Sequence, residues 1–186
     1  MDKKELILSE AARLFAEKGY YGLGLSELLK RCDIPKGSFY YYFPDGKIQL
    51  VQEVLEYCYQ KMEYGIINRM LVEDTALASF ERMADRLSAG LVNRNSFGSL
   101  LMTMLSLESV HLDDRVHVTC VRIYSAWQQL YADFLHQHGF EKEESEQKAQ
   151  AVFALIHGSL LSSWIKRDPM DMQLAKKSLR DILGDK

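Results

Sequence analysis

Apolar residues recur at three- and four-residue spacing along almost the whole chain, a pattern typical of amphipathic helices. No segment shows the alternation of apolar and polar residues expected of a strand, and no internal repeat is present. The three prolines all fall where the helical period is already interrupted. The pattern predicts an all-α fold of about nine helices, with the approximate ranges 2–18, 25–32, 36–43, 45–70, 75–93, 98–110, 113–138, 142–167 and 171–183.

The first helix has clear end signals, and two short helices follow it. Asp2 is a predicted N-cap, because its side-chain oxygen can accept a hydrogen bond from an unpaired amide of the first turn. Gly19 follows the last apolar position and supplies the left-handed residue that ends many helices. The helices at 25–32 and 36–43 are joined by a short turn that ends at Pro35, an arrangement that describes a helix-turn-helix.

The second of these short helices has two different faces. A step of about 100° per residue places Phe39 and Phe43 on one side, where they are expected to dock the helix. The opposite side carries no acid and consists of Gly37, Ser38, Tyr41 and Tyr42, with Tyr40 at its flank. A small glycine lets the backbone approach DNA, and serine and tyrosine hydroxyls can bond base edges or phosphates. Taken alone, the two short helices are equally consistent with plain packing elements.

The run from Ala11 to Leu50 resembles the DNA-binding domain of TetR/AcrR-type regulators, through Ala-Ala-Arg-Leu-Phe-Ala-Glu-Lys-Gly-Tyr at 11–20 and Lys-Gly-Ser-Phe-Tyr-Tyr-Tyr-Phe at 36–43. Tyr-Phe-Pro-Asp-Gly-Lys at 42–47 resembles the LmrA/YxaF-like branch, in which an extra residue lengthens the turn before the lysine that caps the fourth helix. The resemblance implies that DNA is contacted by Lys36, Ser38, Tyr40, Tyr41 and Tyr42, and that Lys47 binds phosphate. Gly37 is assigned to the same DNA-contacting surface because of its small size.

Two positions depart from the pattern of that family. Gly24 stands where a serine or threonine usually caps the second helix, although the acid three residues later, Glu27, is present. We expect Ser26 to take over the phosphate contact of the missing hydroxyl. Tyr42 replaces a commoner histidine. These departures leave the operator sequence open, but they do not change the expected binding mode.

The resemblance also implies how the chain is organised and what it does. We expect a helix-turn-helix DNA-binding domain at 1–47 and an effector-binding and dimerisation domain at 48–186. The leading hypothesis is a homodimeric repressor that a small, largely apolar effector releases from a palindromic operator on double-stranded DNA. The same resemblance also allows an activator, which we consider less favoured than a repressor. The alternative function is a DNA-binding module that has no small-molecule ligand and is held by protein partners.

The helix at 142–167 is apolar on two sides. Its bulky side consists of Val152, Phe153, Ile156, Leu160 and Trp164. Its other side is rich in small residues and consists of Ala151, Leu155, Gly158, Ser162 and Ile165. A helix that is apolar on both sides must be covered on both sides. We expect the bulky side to face the core of the subunit and the small-residue side to form the dimer interface, together with 171–183. Burial of both sides within one subunit is the alternative.

The helix at 113–138 carries a long apolar stripe that includes several aromatic residues. Methionine adapts to varied ligand shapes, and tyrosine and tryptophan supply polar tips, so these residues suit an effector cavity. The candidate lining residues are Met102, Met104, Leu105, Glu108, His117, Cys120, Tyr124, Trp127, Phe153 and His157. Ordinary core packing is the alternative for each of them.

Cysteine usage, charge and motif content exclude several other classes. Cys32, Cys58 and Cys120 lie far apart with no CxxC or Cys/His cluster, which argues against a disulfide scaffold or a zinc site and for a reducing cytosol. A redox role for Cys120 is less favoured than an inert thiol on an apolar stripe. The formal net charge of −3 does not indicate a nucleic-acid binder by itself.

No catalytic or targeting motif is present. The chain has no metal-ligand spacing, glycine-rich phosphate loop or nucleophile elbow, so we expect neither an enzyme nor a cofactor. The N-terminus lacks the apolar core of a signal peptide, and no stretch reaches the ~20 apolar residues of a membrane span. The sequence therefore predicts a cytoplasmic protein with no membrane partner.

Overall fold

The computed structural model describes residues 2–69, 75–92 and 97–184. Within these ranges it contains nine α-helices and no strand, as predicted. The helices are α1 (Lys3–Gly22), α2 (Leu25–Cys32), α3 (Lys36–Tyr42), α4 (Lys47–Arg69), α5 (Ala76–Val92), α6 (Phe97–Ser109), α7 (Asp114–Gln137), α8 (Lys142–Lys166) and α9 (Met170–Leu183). The predicted helix ends at Met70 and Asn93 lie outside the described residues.

The structure confirms the predicted break at Gly19 in α1, but not the predicted capping hydrogen bond of Asp2. Asp2 occupies the N-cap position, but its side chain makes no capping hydrogen bond, and its carbonyl accepts the amide of Leu6 at 3.0 Å instead. Gly19 has φ 69° and ψ −179°, so the helix breaks there as predicted. The chain then resumes a short helical stretch to Gly22, which extends α1 beyond the predicted end at Lys18.

The chain forms two compact units, of which the first comprises 1–62 and 97–123. In this unit α1 packs against α2 and α6. Its core is apolar and includes Ile7, Ala11, Leu14, Phe15, Leu28, Phe39, Phe43, Leu50 and Leu55, all fully buried. Burial of one such large apolar side chain contributes about 1.5–3 kcal/mol, so this core is sufficient to hold the short helices α2 and α3 in place.

Polar contacts join the first part of α4 to α7 within the same unit. The Gln52 amide donates to the Arg115 carbonyl and to the Thr119 hydroxyl, each at 3.3 Å. Glu56 forms an ion pair with Arg122 one turn further along both helices. These contacts are at least partly exposed, and exposed ion pairs contribute little to stability. Sequence patterning missed them, although polar residues spaced three to four apart on one side of α4 are the signal that carries them.

The second unit comprises 63–96 and 124–186, in which α5, α8 and α9 pack on one another. Ala84, Leu160 and Met172 form a buried cluster at this junction, and the Lys176 ammonium lies 2.6 Å from the Asp85 carboxylate. The bulky side of α8 is buried as predicted at Val152, Phe153, Ile156 and Leu160. The prediction for Trp164 is wrong, because this ring lies in the last turn of α8 and is 37% exposed.

The two units do not correspond to a single cut in the sequence. The first unit takes in the beginning of α4 and all of α6, beyond the predicted domain end at residue 47. The predicted boundary concerns functional modules, and it stays a prediction. Among the described residues, no helix combines the length and the apolar character that crossing a membrane requires.

Candidate nucleic-acid interface

The turn between α2 and α3 brings the two short helices together. Asp33 ends α2 in the left-handed conformation, with φ 49°, and its amide donates to the Lys30 carbonyl at 3.4 Å. The next amide, that of Ile34, donates to the Leu29 carbonyl at 3.1 Å, and the Ile34 side chain is buried. Pro35 then occupies the N-cap of α3 with extended backbone. This is a tight helix-turn-helix connection, with a buried apolar residue in its turn.

The two faces of α3 lie as the sequence predicts. Phe39 and Phe43 are fully buried, and their ring centroids are 5.2 Å apart. On the other side Tyr41 is 81% exposed and Tyr40 is 44% exposed. Lys36 and Gly37 are exposed, and Ser38 and Tyr42 are half-buried. The helix therefore rests on its phenylalanines and presents hydroxyl groups outward.

The outward side of α3 is also held in a defined arrangement. The Tyr41 and Tyr42 rings meet edge to face, with centroids 5.2 Å apart. The Lys36 ammonium lies 5.9 Å from the centroid of the Tyr40 ring. Both contacts limit the rotamers of these side chains, so fewer conformations remain to be lost when the surface meets a partner.

The start of α2, the first of the two short helices, has no side-chain cap. Gly24 is the N-cap and has no side chain to cap the helix, and Ser26 is exposed in the first turn. The first amides of a helix have no partner within the helix and attract anions. The exposed Ser26 hydroxyl lies in the same first turn, and its role as a substitute phosphate contact stays a prediction.

Lys47 is the first residue of α4, and it is held by two contacts. Its ammonium donates to the Leu23 carbonyl at 2.7 Å and lies 4.3 Å from the centroid of the Tyr20 ring. Burial lowers the pKa of Lys47, and the charge of Glu108 acts in the opposite direction. The lysine is half-buried, so it is a positioned cation and not a freely moving one.

The turn that leads from α3 into α4 has its own internal contacts. Gly46 adopts φ 70°, a conformation that favours glycine, and its carbonyl accepts the Leu50 amide at 3.1 Å. The Gln49 side chain accepts the amide of Asp45 at 3.0 Å and donates to Glu53 at 2.9 Å. Gln49 therefore fixes the turn before Lys47. Sequence reasoning missed this residue, because a glutamine inside a helix carries no distinctive signal.

Two other cations of this module are already paired inside it. The Lys18 ammonium lies 2.6 Å from Glu27, and the Arg31 guanidinium lies 3.1 Å from the same carboxylate. Arg31 also pairs with Glu17 at 3.2 Å. The hydrogen bond from Lys18 is the largest cause that lowers the pKa of Glu27, so this carboxylate stays ionised. These charges connect α1 and α2 and are largely neutralised within the module.

The predicted effector-lining residues divide between the two units. In the first unit Met102, Leu105 and Cys120 are buried, whereas Met104 is 39% exposed. The His117 ring nitrogen lies 3.4 Å from the Ser109 hydroxyl at an exposed position. Buried methionine and leucine are equally compatible with a core and with a cavity wall.

The predicted anchor Glu108 makes a specific contact in the first unit. Its carboxylate accepts the backbone amide of Tyr20 at 2.8 Å. The carboxylate also occupies the space above Gly19, where an added Cβ would lie 2.6 Å from Oε1. Glu108 is therefore engaged with the end of α1, and its place in an effector cavity stays a prediction.

The remaining candidates form an aromatic cluster in the second unit. The His157 ring stacks on Phe153, with centroids 4.0 Å apart, and lies 5.4 Å from Trp127. Tyr124 meets Trp127 at 5.7 Å and Phe153 at 5.6 Å. Burial lowers the pKa of His157 to about 4, so the imidazole is neutral at pH 7. The structure thus packs four of the predicted residues on one another in a largely buried aromatic cluster.

The small-residue side of α8 faces away from the core of its unit. Ala151, Gly158 and Ile165 are exposed, the last of them at 71%. A hollow of about 290 Å³ lies along α8 and α9, lined by Leu155, Gly158, Ser159, Ser162, Asp171, Leu174, Ala175 and Ser178. Within it the Ser162 hydroxyl donates to the Asp171 carboxylate. The predicted dimer interface on this side of α8 stays a prediction.

The cysteines are buried and free. Burial raises the pKa of the Cys58 thiol to about 11, and Cys32 and Cys120 are also buried. The reactive form of a cysteine is the thiolate, so buried thiols of this kind are poor nucleophiles.

Both parts of the chain match models of known families. Residues 7–54 match the model described as bacterial regulatory proteins, tetR family. Residues 76–178 match the model described as transcriptional regulator LmrA/YxaF-like, C-terminal domain. The first match contains the helix-turn-helix and Lys47, and the second contains the aromatic cluster and the small-residue side of α8.

Relatives of similar length support the same assignment. The HTH-type transcriptional regulator LmrA of Bacillus subtilis is 30% identical over 186 residues, covering 98% of this chain and 97% of the relative. The HTH-type regulator YxaF of the same organism is 26% identical over 185 residues, covering 100% and 97%. The crystal structure of reduced E. coli NemR superposes with a TM-score of 0.86 at 24% identity, covering 97% and 96%, and shows the shared fold. The chain belongs to the TetR family of transcriptional regulators, in its LmrA/YxaF-like group, and is a regulator and not an enzyme.

Proposed function

We propose that this chain is a homodimeric repressor that inserts α3 into the major groove of a near-palindromic operator and leaves the DNA when a small, largely apolar effector binds. The observation that carries the proposal is the outward side of α3. Its hydroxyl groups and Lys36 stand exposed or half-exposed above the buried Phe39 and Phe43. Segment 34–44 contains no acid that would repel phosphates.

The contacts divide into those that position the protein and those that read sequence. Ser38 lies in the first turn of α3, where side chains of a recognition helix reach base edges. Lys47 and the exposed Ser26 hydroxyl lie at helix starts, and Tyr40 lies at the flank of the outward side, so all three are suited to phosphate. Lys36, Gly37, Tyr40, Tyr41 and Tyr42 complete the proposed surface.

Two copies are needed for tight operator binding. Two recognition helices about 34 Å apart read two half-sites on one side of the duplex. The small-residue side of α8 is exposed at Ala151, Gly158 and Ile165 and half-buried at Leu155 and Ser162, which supports a close approach of α8 and α9 from a second copy. Small residues at such a surface allow helix backbones to approach closely, and the apolar Ile165 is then removed from water.

The proposed effector response depends on differential binding. An effector that binds more tightly to a conformation unable to match both half-sites lowers DNA affinity by the coupling free energy, typically about 1–3 kcal/mol. The aromatic cluster of Tyr124, Trp127, Phe153 and His157 supports an apolar ligand, because it offers ring faces together with a neutral imidazole. The prediction that Met102, Leu105, Glu108, His117 and Cys120 line an effector site rests on the sequence pattern alone.

The DNA-binding part is tested by fluorescence anisotropy with duplexes from the region that flanks the coding sequence. We expect the wild-type chain to bind as two copies per duplex, with affinity that falls steeply with salt. The double variant Ser38→Ala/Tyr41→Ala should lose this binding while keeping its helical content. Tyr64→Ala removes another exposed tyrosine, 63% exposed on α4, and serves as the matched control. A wild-type chain that binds no duplex at low ionic strength would contradict the proposal.

The effector part is tested separately. Small apolar compounds are screened by thermal shift, and each stabilising compound is added to the preformed protein–DNA complex. We expect a true effector to weaken DNA binding by about 5- to 150-fold. Compounds that bind and leave DNA affinity unchanged would favour a DNA-binding module without ligand control.

A further inference from the structure

A carboxylate on α6 holds the end of α1 where the chain turns toward α2. Gly19 is buried with φ 69°, and the next amide, that of Tyr20, donates to Glu108 Oε2 at 2.8 Å. The other carboxylate oxygen, Oε1, lies where a Cβ on Gly19 would come within 2.6 Å. The glycine therefore leaves space for this carboxylate, and the contact is a close fit between two segments that are 88 residues apart.

The segment held by Glu108 is the one that positions Lys47. The Tyr20 ring lies under the Lys47 ammonium, at 4.3 Å from its centroid, and Leu23 accepts a hydrogen bond from the same ammonium at 2.7 Å. The Glu108 charge also acts on Lys47, since it raises a pKa that burial lowers. A displacement of the backbone at 19–23 thus moves both contacts of the lysine at once.

We propose that Glu108 is a positioning residue for DNA binding, which acts through Tyr20 and Leu23 on the ammonium of Lys47. The inference rests on the proposed phosphate contact of Lys47. The hydrogen bond depends on an acceptor oxygen within reach of the Tyr20 amide, which the Glu108 side chain supplies from α6. Glu108 itself does not touch DNA, and a carboxylate near phosphates would weaken binding if its only effect were electrostatic.

Two conservative variants separate the effect of the length of the Glu108 side chain from the effect of its charge. Glu108→Gln keeps a side-chain oxygen at the same distance and removes the charge, so it should accept the Tyr20 amide and bind DNA within about threefold of wild type. Glu108→Asp keeps the charge and withdraws the carboxylate by one methylene, so it should lose the contact and bind about tenfold more weakly. The slope of log affinity against log salt should stay the same in both, because no phosphate contact is removed.

A control variant and a direct measurement of the Tyr20 hydrogen bond distinguish this role of Glu108 from a general loss of folding. Asp114→Ala removes an exposed carboxylate from the same unit and should leave affinity unchanged apart from a small electrostatic gain. Hydrogen exchange of the Tyr20 amide, followed by NMR on the full chain, should be slow in wild type and Glu108→Gln and fast in Glu108→Asp. Circular dichroism checks that each variant is folded.

The outcomes are distinct. Equal affinity of all variants, tighter binding by both Glu108 variants, or loss confined to Glu108→Gln would each overturn the inference while the proposed function stands. A slow Tyr20 amide in Glu108→Asp would overturn it as well, because the hydrogen bond would then not depend on the reach of the side chain. A wild-type chain that fails to bind DNA would overturn both the proposed function and this inference.

Discussion

The Lys47 ammonium lies 4.3 Å from the centroid of the Tyr20 ring. A cation over an aromatic face contributes about 0.5–1 kcal/mol at exposed sites and more where water is excluded. Together with the Leu23 carbonyl at 2.7 Å, the ring holds the charge at the start of α4. A cation that is already positioned loses less conformational entropy when it contacts phosphate.

Replacement of Lys47 by alanine is expected to weaken binding to all DNA sequences alike. Loss of one phosphate contact should reduce the slope of log affinity against log salt by about one unit. The measurement is a salt titration of anisotropy binding curves on specific and unrelated duplexes. Lys142→Ala, at an exposed position in the first turn of α8, is the matched control. An unchanged slope would remove the phosphate role of Lys47.

Ser38→Ala is expected to change preference among operators. If the hydroxyl touches a base edge, its loss should alter discrimination at one base pair by about 1–3 kcal/mol. The measurement compares affinities for an operator and its single-base-pair variants. Ser26→Ala is a useful contrast, since a phosphate contact gives the same loss on every sequence. Uniform loss for Ser38→Ala would assign it a positioning role as well.

Gly158→Leu is expected to produce a folded monomer. A Cβ on Gly158 meets no atom of the described part of the chain within 4 Å, so the larger side chain fits within one subunit. Leucine also favours a helix over glycine by roughly 1 kcal/mol. In the proposed dimer the same side chain blocks the partner helix. Sedimentation velocity should show a shift to monomer and anisotropy a loss of operator binding.

Two further variants of α8 control for the size of the new side chain and for its position on the helix. Gly158→Ala retains a small residue and should stay dimeric. Glu146→Leu adds an exposed leucine about 140° around the helix from the small-residue side, and it should also stay dimeric. A dimeric Gly158→Leu would show that the proposed interface lies elsewhere.

Protonation of His157 is expected to destabilise the fold in acid. Its pKa is about 4 in the folded chain because of burial, whereas the unfolded chain titrates near 6.5. The unfolded state therefore binds more protons between these values, and the free energy of unfolding decreases as pH falls from about 6.5 to about 4. The loss is on the order of 3 kcal/mol at most.

Urea unfolding across pH 4–7 measures this effect. His157→Phe keeps a ring against Phe153 and should remove that part of the pH dependence, so the difference from wild type isolates the histidine. His111→Gln, at an exposed position, should leave the pH profile unchanged. Parallel profiles for wild type and His157→Phe would contradict a buried neutral imidazole.

Gly19→Ala is expected to lower the free energy of unfolding by more than 1–2 kcal/mol. An L side chain at φ 69° costs about that much, and the new Cβ also meets Glu108 at 2.6 Å. Gly65→Ala is the matched control, because Gly65 lies inside α4 with no atom within 4 Å of an added Cβ in the described part of the chain. It should stabilise by about 0.5–1 kcal/mol. Equal effects in chemical unfolding would argue against the special role of Gly19.

Local features of this molecule could be predicted from its sequence. The helical period predicted the number and type of the helices, and it placed Phe39 and Phe43 beneath the outward side of α3. Gly19 was predicted to end a helix, because left-handed backbone is a preference of the residue itself. These properties depend on neighbours within one or two turns, so the order of residues is enough to reveal them.

Contacts between distant segments were decided by the tertiary structure alone. The Glu108 carboxylate accepts the amide of Tyr20, a contact that no local pattern indicates, and Trp164 lies exposed at the end of a helix whose bulky side is otherwise buried. Periodicity indicates which side of a helix is apolar. It does not indicate which other helix packs on that side, or at which residue the packing ends. The physical reason is that such contacts depend on how whole helices pack, and packing is a joint property of residues far apart in the chain.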